Sequence, residues 1–546
     1  MVTSNNTSNK ASEDSGMGDV RPVVPPPERA GDAGWTSEVE VLNAARARAL
    51  AMGGPVKVDR QHELGKLTIR ERLALLFDAG SFEELGILAD RQGSGAGINE
   101  SYAAADGIVI GHGEIDGRVA CVLGNDFTVL GGSDGQTGRR KRARITELAG
   151  KMRCPLVYLI DGAGARAQES ILDSWPGGEG LTNTLSLSGI VPQVAVIMGP
   201  AAGTPALHVP ACDFRVMVKG TGMVAAGGPA VVQEGMGLKL SKEDLGGWSV
   251  VGHKSGLVHQ GTESDAECIA AAKTYLSYLP SSCWEAPPCI ESFDDPWRQD
   301  EQLLSLVPRD RKRAYDMKRL FRHVADRDSV FEIQPEYGRA LVTALTRMDG
   351  RTVAMIGNQP MVNAGALGVD EAEKVAHFLA VCNSFHIPIV FFSDIPGMMI
   401  GPDAEAGGVL QKAMRAAYAI AYMRVPTIAV CIRKAYGMGA VAMSGPGQGQ
   451  LGTFAWPSAE FGALPLEGGV RAGYVTEIRN SEDPAATIAA LTERVSATTS
   501  NVWRAASVYN FDDIIDPRET RSRIVRLLRR APQPTVGPWQ HQGIAP

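Results

Sequence analysis

Val191-Pro192-Gln193-Val194-Ala195-Val196-Ile197-Met198-Gly199-Pro200-Ala201-Ala202-Gly203 has a counterpart 234 residues on, Val425-Pro426-Thr427-Ile428-Ala429-Val430-Cys431-Ile432-Arg433-Lys434-Ala435-Tyr436-Gly437. Each copy holds an apolar run that reads as a strand buried on both faces, and each closes on a glycine. The flanking text repeats too. Pro155 leading into Asp161 returns as Pro388 leading into Asp394, and Asp116-Gly117-Arg118 with Asn125 returns as Asp349-Gly350-Arg351 with Asn358, both at an offset of 233. So long a period is no solenoid repeat. It predicts two homologous domains, each with its own core. Such a pair can set two related sites against each other, as an enzyme with two similar ligands would need.

The chain of 546 residues has a net charge of −7 and a pI near 5.8, which gives no electrostatic case for nucleic acid or an anionic membrane. Eight cysteines lie scattered without a Cys-x-x-Cys pair, so no zinc ribbon and no metal site is expected. Several sit in apolar runs and read as buried, reduced thiols. The start of the chain has no apolar signal core, and no stretch nears the roughly 18 apolar residues that span a bilayer. A cytoplasmic protein is expected.

Residues 1–34, rich in Ser, Asn, Gly, Asp and Pro, read as a disordered tail. Ser37 is a candidate N-cap for a helix reaching about Met52, and Thr68-Ile69-Arg70-Glu71 has capping-box form. Beyond these, apolar runs at 155–160, 193–198, 388–392 and 427–432 alternate with helical stretches such as Ala372 to Asn383 and Gly408 to Met423. This alternation predicts α/β architecture. The Pro-rich stretch from Pro287 to Pro296 marks the boundary between units at 35–286 and 287–532. A basic last helix, Glu519 to Arg530, precedes a polar tail at 533–546.

Chemistry is expected where the repeated strands end. Met198 to Thr204 and Arg433 to Ala440 are small-residue turns between a strand and a helix, where free N–H groups can form an anion-binding concavity. Turns at Asp161 to Glu169 and Asp394 to Met399 match each other but form no dinucleotide fingerprint. No Walker A or HExxH motif is present, and no histidine has an evident Ser, Cys or Asp partner; His208 and His259 read as structural. That pattern favours backbone dipoles as charge stabilisers, with the base supplied by a cofactor or substrate. The basic run Arg139 to Arg144 points equally to phosphates of a coenzyme A-like handle or to a solvated helix face.

These loops and their surroundings resemble the carboxyltransferase (β) subunits of biotin-dependent acyl-CoA carboxylases, the propionyl-CoA and methylcrotonyl-CoA carboxylase group. The resemblance spans roughly residues 35–530. It includes Gly65-Lys66-Leu67-Thr68 with Arg70-Glu71-Arg72-Leu73, Asp126-Phe127-Thr128-Val129 with Gly131-Gly132-Ser133, and Gly164-Ala165-Arg166 with Gln168-Glu169. Further matches are Asp244-Leu245-Gly246-Gly247, Asn358-Gln359-Pro360, Arg433-Lys434-Ala435-Tyr436-Gly437 and Ala455-Trp456-Pro457.

The resemblance implies two tandem crotonase-like domains and a homo-hexamer whose sites lie between the N-domain of one subunit and the C-domain of another. It implies carboxyl transfer from carboxybiotin to the α-carbon of a coenzyme A thioester through an enolate. The amides of Gly203 and Thr204 would hold the enolate, and those of Met438 and Gly439, beside Gly437, the biotin ureido oxygen. Gly164, Ala165 and Arg166 would contact substrate, and Val441 would bear on the acyl chain. No Met-Lys-Met-like biotinylation site or ATP motif is present, so biotin carboxylase and biotin carrier would come from a partner α subunit. This chain departs from the family at Thr204-Pro205, where Gly is usual and Pro205 has no N–H. That departure keeps a non-catalytic scaffold open as an alternative, beside the carboxyltransferase of a decarboxylase or transcarboxylase.

Overall fold

Apolar runs at 156–162, 193–202, 389–395 and 427–436 become the central strands of two sheets, and every residue of the four is buried except half-buried Lys434. A computed structural model describes residues 34–91, 102–166, 169, 181–311, 313–443, 450–498, 501–538 and 544. The tail expected at 1–34 lies outside the described residues except for Gly34, as do Gln168 and much of the segment from 533 to the end.

The first sheet contains β1 (Glu83–Leu85), β2 (Ile108–Ile115), β3 (Arg118–Asn125), β4 (Leu156–Gly162), β5 (Gln193–Ala202), β6 (Phe214–Val218), β7 (Met223–Ala225) and β8 (Gln260–Thr262). The second contains β9 (Phe331–Ile333), β10 (Leu341–Met348), β11 (Arg351–Asn358), β12 (Ile389–Ile395), β13 (Thr427–Tyr436), β14 (Gln450–Ala455), β15 (Glu460–Gly462) and β16 (Asp513–Ile514). Their orders are the same, β1-β2-β3-β4-β5-β6-β8 and β9-β10-β11-β12-β13-β14-β16, with β7 on β5 and β15 on β13. In each sheet two antiparallel pairings lead into parallel ones.

The duplication reaches single bonds. Asp78 caps the β2–β3 turn by accepting the N–H groups of Asp116 and Gly117, and Asp326 does the same for Asp349 and Gly350. Asn125 donates to the Gly132 carbonyl at 2.9 Å, and Asn358 to Gly365 at 3.0 Å. Gly132 and Gly365 both have positive φ, and a Cβ there would meet the carbonyls of Asp161 at 2.5 Å and Asp394 at 2.8 Å. Only glycine allows that approach.

Local expectations met mixed outcomes. Thr68 and Glu71 form the capping box. Helices Val369–Ser384, Val409–Ala421 and Thr520–Arg530 stand close to where they were expected. Ser37 is not an N-cap: the helix starts at Thr36, with Trp35 ahead of it, so Ser37 lies inside the first turn and its hydroxyl bonds Glu38. The segment after Pro288 joins the second sheet, Ile290 donating to the Gly350 carbonyl at 3.0 Å.

Two buried lysines, 233 residues apart, fasten each sheet to its covering helix. Lys141 donates to the carbonyls of Gly86, Ala105 and Ile108. Lys374 donates to those of Gln334, Tyr337, Gly338 and Leu341. Burial pushes these amines down, to about 8 and about 7. Lys374→Met would leave several buried carbonyls unmatched and should cost about 2–4 kcal/mol. Denaturant unfolding followed by circular dichroism checks this; a loss under about 1 kcal/mol would show the amine to be dispensable.

Candidate active site

β5 runs out at Ala202, and the chain turns before helix Thr204–His208 begins. Gly203 makes the turn at φ 63°, ψ −127°, a backbone open to glycine. Its N–H, expected among the anion donors, is instead donated to the Ala226 carbonyl at 3.1 Å. This extends the pairing of β5 with β7, so Gly203 shapes the loop without offering a donor. The Thr204 N–H comes next, at the start of the helix, where no intrahelical partner exists. Pro205 removes only an N–H that the helix would leave unbonded anyway.

The facing wall is the turn after β4. Gly164 has φ +93°, and a Cβ on it would lie 2.6 Å from the Ala202 carbonyl oxygen, so glycine lets this turn rest on the end of β5. Asp134 donates to Gly164 O at 2.8 Å and accepts from the Arg166 N–H at 2.9 Å. Successive groups of an extended segment face opposite ways, which turns the Ala165 N–H away from Asp134. A Cβ placed on Gly203 would be 4.0 Å from the Ala165 nitrogen. No acceptor among the described residues takes the N–H of Ala165 or of Thr204. Two backbone donors without a described acceptor thus lie on separate segments that approach each other at Gly164 and Gly203.

Arg166, expected to touch substrate, is turned inward. Its guanidinium meets Asp106 at 2.8 Å, Glu169 at 2.5 Å and the Ser133 carbonyl at 3.1 Å. Two carboxylates cancel its charge, and it fastens the turn to helix Gln136–Met152, whose Gly138 N–H bonds Asp106.

The second half repeats the construction. Gly437 turns at φ +56° into helix Gly437–Met443, whose first N–H groups, those of Gly437, Met438 and Gly439, have no partner within it. Leu367 donates to Gly397 O at 3.1 Å and accepts from Met399 N–H at 2.9 Å, which turns the Met398 N–H the other way. A Cβ on Gly439 would lie 3.1 Å from the Gly397 carbonyl carbon, so helix and turn are in contact. Met398 was not among the expected residues; its one signal was the offset of 233 from Ala165. Val441, 43% exposed, lies one turn beyond Met438, 59% exposed, so it belongs with the second set of donors. The two sets stand on separate sheets.

Each set has a cavity beside it. The first, about 320 Å³, is lined by Lys57, Arg60, Gln61, Phe127, Thr128 and Gly131, and Gly131 accepts the Ala163 N–H at 3.0 Å. The second, about 310 Å³, lies between Arg311, Pro360, Ala364, Pro396, Lys434 and Tyr436. Phe127 and Gly131 correspond by the repeat to Pro360 and Ala364. Lys57 and Arg60 are exposed and form no ion pair among the described residues.

Other candidates fall away. Within the basic run, Lys141 caps carbonyls and Arg142 pairs with Asp134 at 2.7 Å, so both point into the protein and away from any phosphate. His208 bonds Thr184 at 3.0 Å and stacks on Tyr158, and burial holds it neutral with its pKa down to about 2. His259 is fully enclosed and lies well below its ordinary range for the same reason. Seven of the eight free cysteines are buried.

Gly164→Ala should collapse this geometry, because its Cβ overlaps Ala202 O and its φ is positive. About 1–3 kcal/mol of stability should go with it. Gly117→Ala, also at positive φ but with open space around it, is the control. Equal melting temperatures for the two variants would count against the close approach.

Known proteins share this fold. The family model described as carboxyl transferase domain matches residues 60–543. The carboxyltransferase subunit of propionyl-CoA carboxylase from Haloferax mediterranei is 35% identical over 491 residues, 90% of this chain and 95% of that one. Methylmalonyl-CoA decarboxylase subunit alpha from Veillonella parvula is 36% identical over 492 residues, again 90% and 95%. Among solved structures, the hexameric transcarboxylase 12S with methylmalonyl-coenzyme A bound aligns at a TM-score of 0.87 and 33% identity, covering 94% of this chain and 99% of that one. A single-chain, multi-domain long-chain acyl-CoA carboxylase aligns at 0.80 and 31%, covering 90% of this chain and 50% of that one.

Proposed function

The chain belongs to the carboxyl transferase domain family, and on that premise we propose that it moves a carboxyl group between biotin on a partner protein and the α-carbon of an acyl-CoA. Its two crotonase-like units, 35–286 and 287–532, divide the task. The observation that carries this reading is the repeated pair of open backbone donors, Ala165 with Thr204 and Met398 with Met438.

In the first half, the N–H groups of Ala165 and Thr204 receive the thioester oxygen as it becomes an enolate oxygen. Such donors favour the charge that develops in the transition state over the neutral carbonyl. Lys57 and Arg60, at the adjoining cavity, meet the phosphates of coenzyme A. In the second half, Met438 and Gly439, with Met398, hold the ureido oxygen of biotin; the cavity at Pro396 and Tyr436 has room for a bicyclic urea. When bound, biotin supplies the carboxyl group: its C–N bond breaks, a C–C bond forms at the α-carbon, and the α-proton ends on the vacated nitrogen.

The half-reaction is reversible, so the same site serves a decarboxylase or a transcarboxylase, activities named for two relatives. The partner, a biotin carboxylase and carrier subunit, sets the direction. A scaffold role is disfavoured because Pro205 leaves the Thr204 donor open.

Incubation with a biotinylated carrier, its carboxylase, ATP, bicarbonate and a panel of acyl-CoAs should carboxylate at least one. Carboxylation of none, with the assembly intact, returns the scaffold. Thr204→Pro deletes one donor at a helix position that accepts proline and should lower kcat about 100- to 1,000-fold. Undiminished turnover in that variant would refute the donor assignment.

The two donor sets meet when the second half of one subunit packs on the first half of another. Helix Val409–Ala421 and its end expose Leu410, Met414, Tyr418 and Tyr422 at helical spacing, beside 85% exposed Ile400. The first half exposes Leu207, Val231 and Met236 near its own donors. Apolar surface of this kind marks an interface. Leu410→Glu with Tyr418→Glu should dissociate the assembly in sedimentation velocity and abolish transfer while each chain stays folded. A variant that keeps the wild-type sedimentation coefficient would place the interface elsewhere.

A further inference from the structure

We propose that the Lys434 ammonium binds the carboxyl group in transit, as the uncompensated cation of the second cavity; the proposal rests on the function given above. Three cations line that cavity, Arg311, Arg433 and Lys434. Two are cancelled. Arg433 donates to Asp394 at 3.0 Å and to the Arg313 carbonyl at 2.8 Å. Arg311 pairs with Glu460 at 2.7 Å, the carboxylate that also accepts from the Tyr436 hydroxyl at 2.8 Å. Lys434 lends its backbone N–H to Asp394 at 3.2 Å, but no described residue pairs with its ammonium. Of the three lining cations, Lys434 alone therefore lacks a paired carboxylate among the described residues.

The first cavity is different. Lys57 and Arg60 line it, and neither has a paired carboxylate among the described residues. Two free cations suit phosphates, whereas one suits a single carboxylate. The distinction is unexpected from the repeat alone, because the position matching Lys434 is Pro200. Position also favours the role. Lys434 is half-buried at the end of β13, four residues before Met438, and Pro396 on the same cavity wall is two residues before Met398. The cation therefore shares an edge with the donors assigned to the urea.

One fixed cation can serve the whole transfer. Lys434 faces one negative charge on two carboxyl oxygens while that group is attached to nitrogen, and the same charge on the same oxygens once it is attached to carbon. The electron pair of the broken C–N bond stays on nitrogen and takes the α-proton, and the enolate pair forms the new C–C bond. Lys434 exchanges no proton and needs no co-reactant.

The test runs the half-reaction from a carboxylated acyl-CoA, made from whichever acyl-CoA of the panel turns over, to biotin amide, an acceptor without a charge of its own. Lys434→Met should lower kcat about 10- to 100-fold, the loss expected for one charge-assisted hydrogen bond. Lys434→Arg should stay within about threefold of wild type, because it restores the charge. Coenzyme A binding by calorimetry and the sedimentation coefficient should not move in either variant. Full activity in Lys434→Met, or equal losses in both variants with coenzyme A binding intact, overturns the role of the charge and leaves the proposed function standing. A wild-type protein that transfers from no carboxylated acyl-CoA overturns both.

Discussion

A buried carboxylate at the end of the central strand of each sheet is the constraint on which each reactive edge depends. Asp161 closes β4 and accepts from Lys66 at 2.6 Å, Arg72 at 2.9 Å and Gln61 at 3.0 Å. Arg72 reaches on to Asp265 at 2.7 Å, so the early helices, the strand end and helix Asp265–Tyr278 share one network. Removing one partner from such a network strands a charge in low dielectric and costs about 3–5 kcal/mol. Asp394 closes β12 in the same way, with Arg433 as its partner; burial pushes its carboxyl up against the pull of that guanidinium. The turns that present Ala165 and Met398 begin at these two aspartates.

The halves solve the same electrostatic problem with different residues. A side chain at Gly199 would start 1.9 Å from Asp161 Oδ1, a space that the Lys66 amine fills from another part of the chain. At the matching position 433, arginine provides the cation directly. Lys66 also lies over the Phe127 ring at 4.3 Å, beside the first cavity. The first half thereby joins its cavity to its strand end through an upstream lysine. The second half does so within β13 and leaves the ammonium of the next residue, Lys434, without an ion-pair partner among the described residues.

Backbone donors fit this setting because they need no titrating group. His208 and His259 are buried where they stay neutral, and burial raises Asp213, to about 7, beneath the contact between the halves, where His377 bonds its carbonyl. The His377 bond to Asp213 and the edge contact of His259 with His377 join the two halves. The proposed chemistry instead uses N–H groups whose direction is set by Gly164, Gly203, Gly397 and Gly437, all at positive φ.

Periodicity and the long repeat determined much: two α/β units, the buried strands β4, β5, β12 and β13, and the segments where donors would lie. Strand character and tight turns are local consequences of side-chain size and backbone freedom, so they can be read along the chain. Which N–H in a turn stays free is different, because it depends on what packs opposite. Ala226 takes the N–H of Gly203, Asp134 orients Ala165, and Leu367 orients Met398. Asp106 and Glu169 likewise turn Arg166 from a ligand contact into a strut. Backbone hydrogen bonds and, for Arg166, charge compensation between distant segments made these decisions, and tertiary structure alone brings those segments together.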